Sequence, residues 1–192
     1  MNEKLLLKLS QLFIHKYVVH NQKKRMKRIL FTLTLLLVIS FSNAQKIEVD
    51  STNILTYNGK KVTLDLTPDE LKKVFGKPDR ITLKHNIIWT YDKLGFMVYV
   101  KPETFKINNI TINFKKESFD FSPKELFKGE LIIYGSNITE FTNFIELKSI
   151  ETNAKKRNMG NVYGIKSLKH SIWFFKSEKI KSELSGCEIN LI

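Results

Sequence analysis

The sequence predicts an α+β protein of two tandem helix-plus-antiparallel-sheet units behind an N-terminal signal peptide. Three observations carry that expectation. An apolar run from Ile29 to Phe41 follows Met26-Lys27-Arg28 and stops at Ser42-Asn43-Ala44. A helix with both ends specified lies between Thr67 and Gly76, just after an Asn-Gly hairpin. The order strand, helix, three strands then recurs downstream.

The leader comes first in the chain. A basic start, an apolar stretch and a small-x-small end make a secretory signal peptide over residues 26–44. The run is shorter than the roughly 20 apolar residues that span a bilayer. Ser42 and Ala44 suit a peptidase that admits small side chains, so the cut is placed after Ala44 and the mature chain begins at Gln45. No cysteine lies nearby, which excludes lipid attachment at a new N-terminal cysteine. Residues 1–25 precede the basic region and are read as a misassigned start. The alternative is a basic extension, since Leu5, Leu9 and Leu12 fall near helical spacing with Lys4, Lys8 and Lys16 between them. The expected location is the periplasm or the exterior.

Charge follows from this division. The full chain carries 32 Lys+Arg against 19 Asp+Glu, a net +13. Residues 45–192 keep 24 basic and 18 acidic residues, a net +6. That is ordinary for a soluble domain and does not point to nucleic acid. A mature part of 148 residues can form one core. Cys187 is the sole cysteine, so no internal disulfide forms, and it reads as a small buried hydrophobe in a strand.

Along the mature chain, Ile54–Tyr57, Asn58-Gly59 and Lys61–Leu66 read as a hairpin, because both central residues of a type I′ turn need positive φ. Thr67-Pro68-Asp69-Glu70 combines a capping threonine, a first-turn proline and the glutamate of a capping box. Leu71, Val74 and Phe75 give that helix its apolar stripe, and Gly76 and Pro78 end it. Strands are expected at Ile87–Tyr91, Phe96–Val100 and around Ile110–Phe114. Ser122-Pro123-Lys124-Glu125 predicts one helical turn and Leu131–Tyr134 a strand. Thr139 to Lys148 predicts a helix whose buried side is Phe141, Phe144 and Ile145, with Leu147 as a further candidate. Val162–Ile165, Ile172–Phe175 and Cys187–Leu191 close the chain as strands. Repeated words support two units, about 54–114 and 129–192. The clearest is Leu83-Lys84-His85-Asn86-Ile87-Ile88-Trp89 beside Leu168-Lys169-His170-Ser171-Ile172-Trp173.

The helix, the Gly76-Lys77-Pro78 turn and the aromatic strand Trp89-Thr90-Tyr91 resemble the outer-membrane assembly lipoprotein family BamE (SmpA/OmlA) between Thr67 and Phe114. The tandem arrangement resembles the β-lactamase inhibitor proteins. The whole chain resembles uncharacterised exported proteins of Gram-negative bacteria, a domain of unknown function. These resemblances imply the architecture; two such units side by side would present a broad sheet surface outward, and a surface of that kind suits protein binding more than small-molecule chemistry.

A search for chemistry yields no constellation. His85 and His170 are the mature histidines; they fall at equivalent positions of different units, and no Ser/His/Asp, Cys/His or metal-ligand spacing stands out. No catalytic, cofactor or metal residue is assigned, and no cofactor is expected. From Asn153 to Lys181, eight basic residues and one acid interleave with Tyr163, Trp173, Phe174 and Phe175, a pattern that could track a polyanion or simply be core aromatics between solvated lysines. The expectation is an exported non-enzymatic protein that binds another protein through a sheet face, with Trp89, Tyr91 and Trp173 as candidate contacts. An envelope-assembly accessory and an inhibitor or immunity-type protein are the alternatives, followed by a hydrolase with an unrecognised site. Nucleic acid is not an expected partner, and a weak contact with the anionic envelope surface is.

Overall fold

The structure, a computed structural model, describes Lys27, residues 45–180 and residues 182–192. The expected leader, the cut after Ala44 and the extension over 1–25 lie outside the described residues, Lys27 apart. Ala44–Ile192 forms one compact unit.

Two sheets form a β-sandwich-like body around one core. The smaller has the order β3-β2-β1-β8-β9, from β1 (Lys46–Val49), β2 (Leu55–Tyr57), β3 (Lys60–Lys61), β8 (Glu130–Ile133) and β9 (Ser136–Ile138). The larger has the order β10-β11-β12-β13-β7-β6-β5-β4. Its strands are β4 (Arg80–Leu83), β5 (Ile87–Tyr91), β6 (Phe96–Val100), β7 (Ile107–Asn113), β10 (Lys155–Asn158), β11 (Val162–Lys166), β12 (His170–Lys176) and β13 (Leu184–Leu191). All its pairings are antiparallel, whereas β1 and β8 pair parallel.

The registers show why these sequences make a sandwich. Trp89, Val98, Ile110, Ile189, Ile172 and Ile165 are successive cross-strand partners, and each is buried. One face of the large sheet is therefore apolar from β5 to β11, as period-two alternation dictates. Ile47, Val49, Leu55, Tyr57, Leu131 and Ile133 supply the facing side from the small sheet. Tyr57 of the small sheet meets Phe96 of the large one at 5.6 Å between ring centroids.

Helix α1 (Pro68–Phe75) carries the expected capping box: Thr67 accepts from the Glu70 amide, and Glu70 reaches back to the Thr67 amide. Leu71 and Phe75 are buried, and the Phe75 ring packs at a tilt against Tyr57, Tyr91 and Phe96. Burial of two such side chains contributes roughly 3–6 kcal/mol before entropy is counted. Helix α2 (Phe144–Ser149) starts at the cap Asn143, which accepts from Ile145 and Glu146 amides.

The expected fold class is overturned. The protein is mostly β, and two helix-plus-sheet units of the BamE or β-lactamase-inhibitor kind do not form. Neither helix is a layer over a sheet; each is the crossover from the small sheet to the large one, α1 from β3 to β4 and α2 from β9 to β10. Strands from both expected units share both sheets, through β1–β8 and β7–β13. The echoed words also fall out of step: Trp89 lies in β5, the second strand of its meander, and Trp173 in β12, the third of its own.

Other differences have local causes. Ser122–Glu125 makes no helical turn, because the Lys124 and Glu125 amides donate instead to the Asp92 carboxylate and carbonyl. The second helix begins at Phe144, since Thr139–Thr142 closes its own turn, and Ile145 is left 81% exposed. Tyr134 and Gly135 both take positive φ, 51° and 81°, in a turn of the same kind as Asn58-Gly59. Few side chains other than glycine or asparagine accept that conformation. Tyr134 does so while its hydroxyl donates to Asn53 Oδ1 at 2.7 Å.

Candidate functional site

The sandwich buries one face of the large sheet and leaves the other to be accounted for. Cross-strand partners on that outer face run Thr90, Met97, Thr111, Glu188, Trp173, Gly164 and Arg157. A flanking row runs through Tyr99, Asn109, Asn190, Ser171, Lys166 and Lys155. The face thus changes along its width. It is apolar and covered at β5–β6, aromatic and polar in the middle, and basic at β10–β11.

The cover is the segment between β7 and β8. Its anchor is an ion pair that the sequence reading did not single out. Arg80 donates to both oxygens of Asp92, Nε at 2.9 Å and Nη2 at 2.7 Å. The same guanidinium donates to the carbonyls of Asp120 and Ser122, and Thr90 Oγ1 donates to the carbonyl of Phe121. The Asp92 side chain is 9% exposed and that of Arg80 32%. Arg80 holds the Asp92 carboxyl below its ordinary range, chiefly by hydrogen bonding, and the Lys124 amide adds to the effect. This network fixes residues 120–125 across the sheet. Gly95 makes it possible: its φ is +75°, and a Cβ there would lie 2.1 Å from the Phe127 amide.

Where the cover leaves the sheet, a groove of about 800 Å³ opens. Its floor is Val162 and Phe175 of the outer face. One wall is the chain after β7, including Lys115, Lys116 and Phe119; the other is the β12–β13 connection, including Lys179 and Ile180. Phe119 and Ile180 are 58% and 46% exposed. Lys115 is ion-paired with Glu183. Lys176 lies 4.4 Å from the centre of the Phe144 ring and links the groove to a smaller cavity of about 200 Å³ beside α2.

Trp173 follows Phe175 on the same face. It is half-buried, lies over Gly164, and its Nε1 donates to Ser171 Oγ at 3.1 Å. Glycine lets the ring lie this close, since a Cβ at 164 would stand 2.4 Å from the indole and displace it. Tyr99 completes the patch; burial pushes its hydroxyl up to about 12, helped by the charges of Glu188 and Glu117. Glu117 is exposed as a residue, yet desolvation raises its carboxyl above the ordinary value.

The structure separates the three candidate contacts. Trp89 and Tyr91 are buried in the core, so neither offers a surface. Trp173 faces outward. The basic run from Asn153 separates as well: Tyr163 and Phe174 are core, Lys155, Arg157 and Lys166 share the outer face, and Lys156 turns inward to cap α2 through the carbonyls of Lys148 and Ile150. His85 is exposed in the β4–β5 turn, and His170 is buried at the start of β12. Alternation in β12 could have assigned Trp173 to the face opposite Phe174; nothing local marks Arg80 or the groove.

Among the described residues, no group of three or more His, Cys, Asp or Glu side chains could hold a metal ion, and no helix is long and apolar enough to cross a membrane. The fold and groove define a two-sheet β protein with an open surface site. Residues 46–148 match a family described as a domain of unknown function, DUF7738, and the protein belongs to that family. The matched region ends within α2, so the groove draws one wall from it and its floor from beyond it. No curated protein matches the sequence. Among solved structures, the chain is similar to an extracellular protein containing a SCP domain from Bacillus anthracis str. Ames, at 10% identity and a TM-score of 0.42. The similarity covers 67% of this chain and 44% of that one, so the chain spans less than half the length of that protein.

Proposed function

We propose that this is an exported, non-enzymatic protein that binds a partner protein on the outer face of its eight-stranded sheet. The observation that carries the reading is the open groove of about 800 Å³, whose floor residue Phe175 shares the outer face of β12 with the half-exposed Trp173. Open, partly aromatic surfaces of this kind favour macromolecular contact over the enclosed geometry of small-molecule chemistry. Neither mature histidine reaches the groove, and its lining carries lysines, aromatics, hydroxyls and the two carboxylates Glu117 and Glu178. Export rests on the leader at residues 26–44. N-terminal sequencing of the native protein is expected to start at Gln45; recovery of an intact residue 26–44 segment would refute export.

The binding reading is tested with a photo-crosslinking amino acid at Phe119 or Phe175, and at Leu168 as control. Leu168 lies in the β11–β12 turn, at the opposite end of those strands from the groove. Discrete protein adducts in cells are expected from the two groove positions and none from Leu168. Equal adducts from all three, or none from the groove, would refute the reading.

A further inference from the structure

The groove is built for a particular kind of chain. Lys116 and Lys179 stand on its two different walls, and neither forms an ion pair among the described residues. Lys115 is already held by Glu183, and Lys176 rests on Phe144. The lining holds four lysines against Glu117 and Glu178, so its net charge is positive. Beyond Trp173 the positive charge continues through Arg157, Lys155 and Lys166 on the same face. Between the lysine walls lie apolar side chains, Phe175 and Val162 below and Phe119 and Ile180 at the sides, with Asn161 and the hydroxyls of Ser118, Ser177 and Ser185 among them. Cations flanking an apolar floor complement a ligand that alternates carboxylates with apolar side chains. A sulfated or phosphorylated glycan would satisfy the lysines and leave that floor uncovered.

We infer that the partner docks through an acidic polypeptide segment with apolar anchors, its side chains covering Phe175 and its carboxylates meeting Lys116 and Lys179. This rests on the protein-binding reading above and specifies its partner's chemistry.

The test pans a random 12-residue peptide display library on the purified full chain and, in parallel, on the K116E/K179E double variant. Equal urea midpoints establish that the variant is folded. The wild type is expected to enrich peptides rich in Asp and Glu together with Phe, Leu or Ile. The tightest such peptide is expected to bind the variant at least tenfold more weakly, and the wild type more weakly at 0.5 M NaCl. Enrichment of neutral or basic peptides overturns the inference, as does an acidic peptide that binds both proteins equally. Binding of heparin or polyphosphate with no acidic peptide enriched also overturns it, in favour of a polyanion. If groove crosslinks at Phe175 persist while acidic peptides fail, the inference alone falls; if both fail, the binding reading falls with it.

Discussion

Replacing Asp92 by asparagine tests whether the cover over the outer face is held by charge. The substitution keeps the shape and removes the anion facing Arg80. The guanidinium would then face the Asp120 and Ser122 carbonyls alone, with two charge-assisted bonds of 2.7 and 2.9 Å weakened. Breaking a buried pair costs about 3–5 kcal/mol, and an exposed pair about 0–1. Asp92 is 9% exposed and Arg80 32%, so solvent screens one partner in part and the low end applies, about 3 kcal/mol. With a urea m-value of roughly 1.5–2 kcal/mol per molar, the midpoint falls by roughly 1.5–2 M. The assay is urea unfolding at pH 7 followed by tryptophan fluorescence. A loss under about 1 kcal/mol would show that the pair behaves as a surface bridge and that the cover is held by its backbone bonds. The pH dependence gives a second reading. The folded pKa of Asp92 lies below its ordinary value of 3.8. The folded state therefore binds fewer protons than the unfolded chain in this window. The pair's contribution is fully present above the ordinary value and is lost as pH falls through the folded one. The variant should lack that acid limb.

Four further outcomes follow from the same geometry. Gly164→Ala would drive a Cβ to 2.4 Å from the Trp173 ring, so the indole must lift; a changed emission spectrum is expected against a Trp173→Phe control, with a cost of about 1–3 kcal/mol. Gly95→Ala, at a φ of +75° and 2.1 Å from the Phe127 amide, should prevent stable folding, read as loss of a cooperative urea transition. His170 is buried with Nδ1 unpartnered; burial first and Lys169 second lower its pKa, while Asp50 opposes. The folded state therefore takes up protons later than the unfolded chain. Stability should fall as pH drops below the ordinary value of 6.5, by at most about 1.4 kcal/mol per pH unit, and His170→Leu should flatten urea midpoints measured between pH 5 and 8. Cys187 is fully buried and its thiol is pushed up by burial, so a thiol reagent should titrate it in urea and leave the native protein unmodified.

Much of the local structure was legible in the residues. The capping box at Thr67, the Asn58-Gly59 turn and the strands Ile87–Tyr91 and Phe96–Val100 depend on neighbours in sequence, and they form as expected, whereas the strand expected from Lys61 to Leu66 stops at Lys61. Sheet membership depends on partners far apart. Nothing near Lys46–Val49 says that it will lie parallel to Glu130–Ile133, and nothing near Ile112 says that it faces Cys187. Without those pairings, the residues read as two units side by side. The amphipathic pattern of Thr139–Lys148 is realised only in part for a related reason: of the four expected positions Leu147 is buried and Phe144 partly so, while Phe141 and Ile145 are exposed, because α2 bridges two sheets and covers neither. The site was half legible. Alternation separates Trp173 from Phe174, whereas Arg80 meets Asp92 and Ser122 only because β4 is an edge strand beneath a connection forty residues away.

The position of β13 has a consequence for how the molecule is made. Leu184–Leu191 lies in the interior of the eight-stranded sheet, hydrogen-bonded to β12 on one side and β7 on the other. A ribosome or a translocation pore delivers β7 more than seventy residues earlier. Until β13 arrives, β4–β7 and β10–β12 exist as two fragments, each with a raw hydrogen-bonding margin. The sheet closes like an arch whose keystone is set near the end, so threading outward in an open form is compatible with this architecture, and a chain broken ahead of Leu184 leaves two margins prone to pair with other molecules.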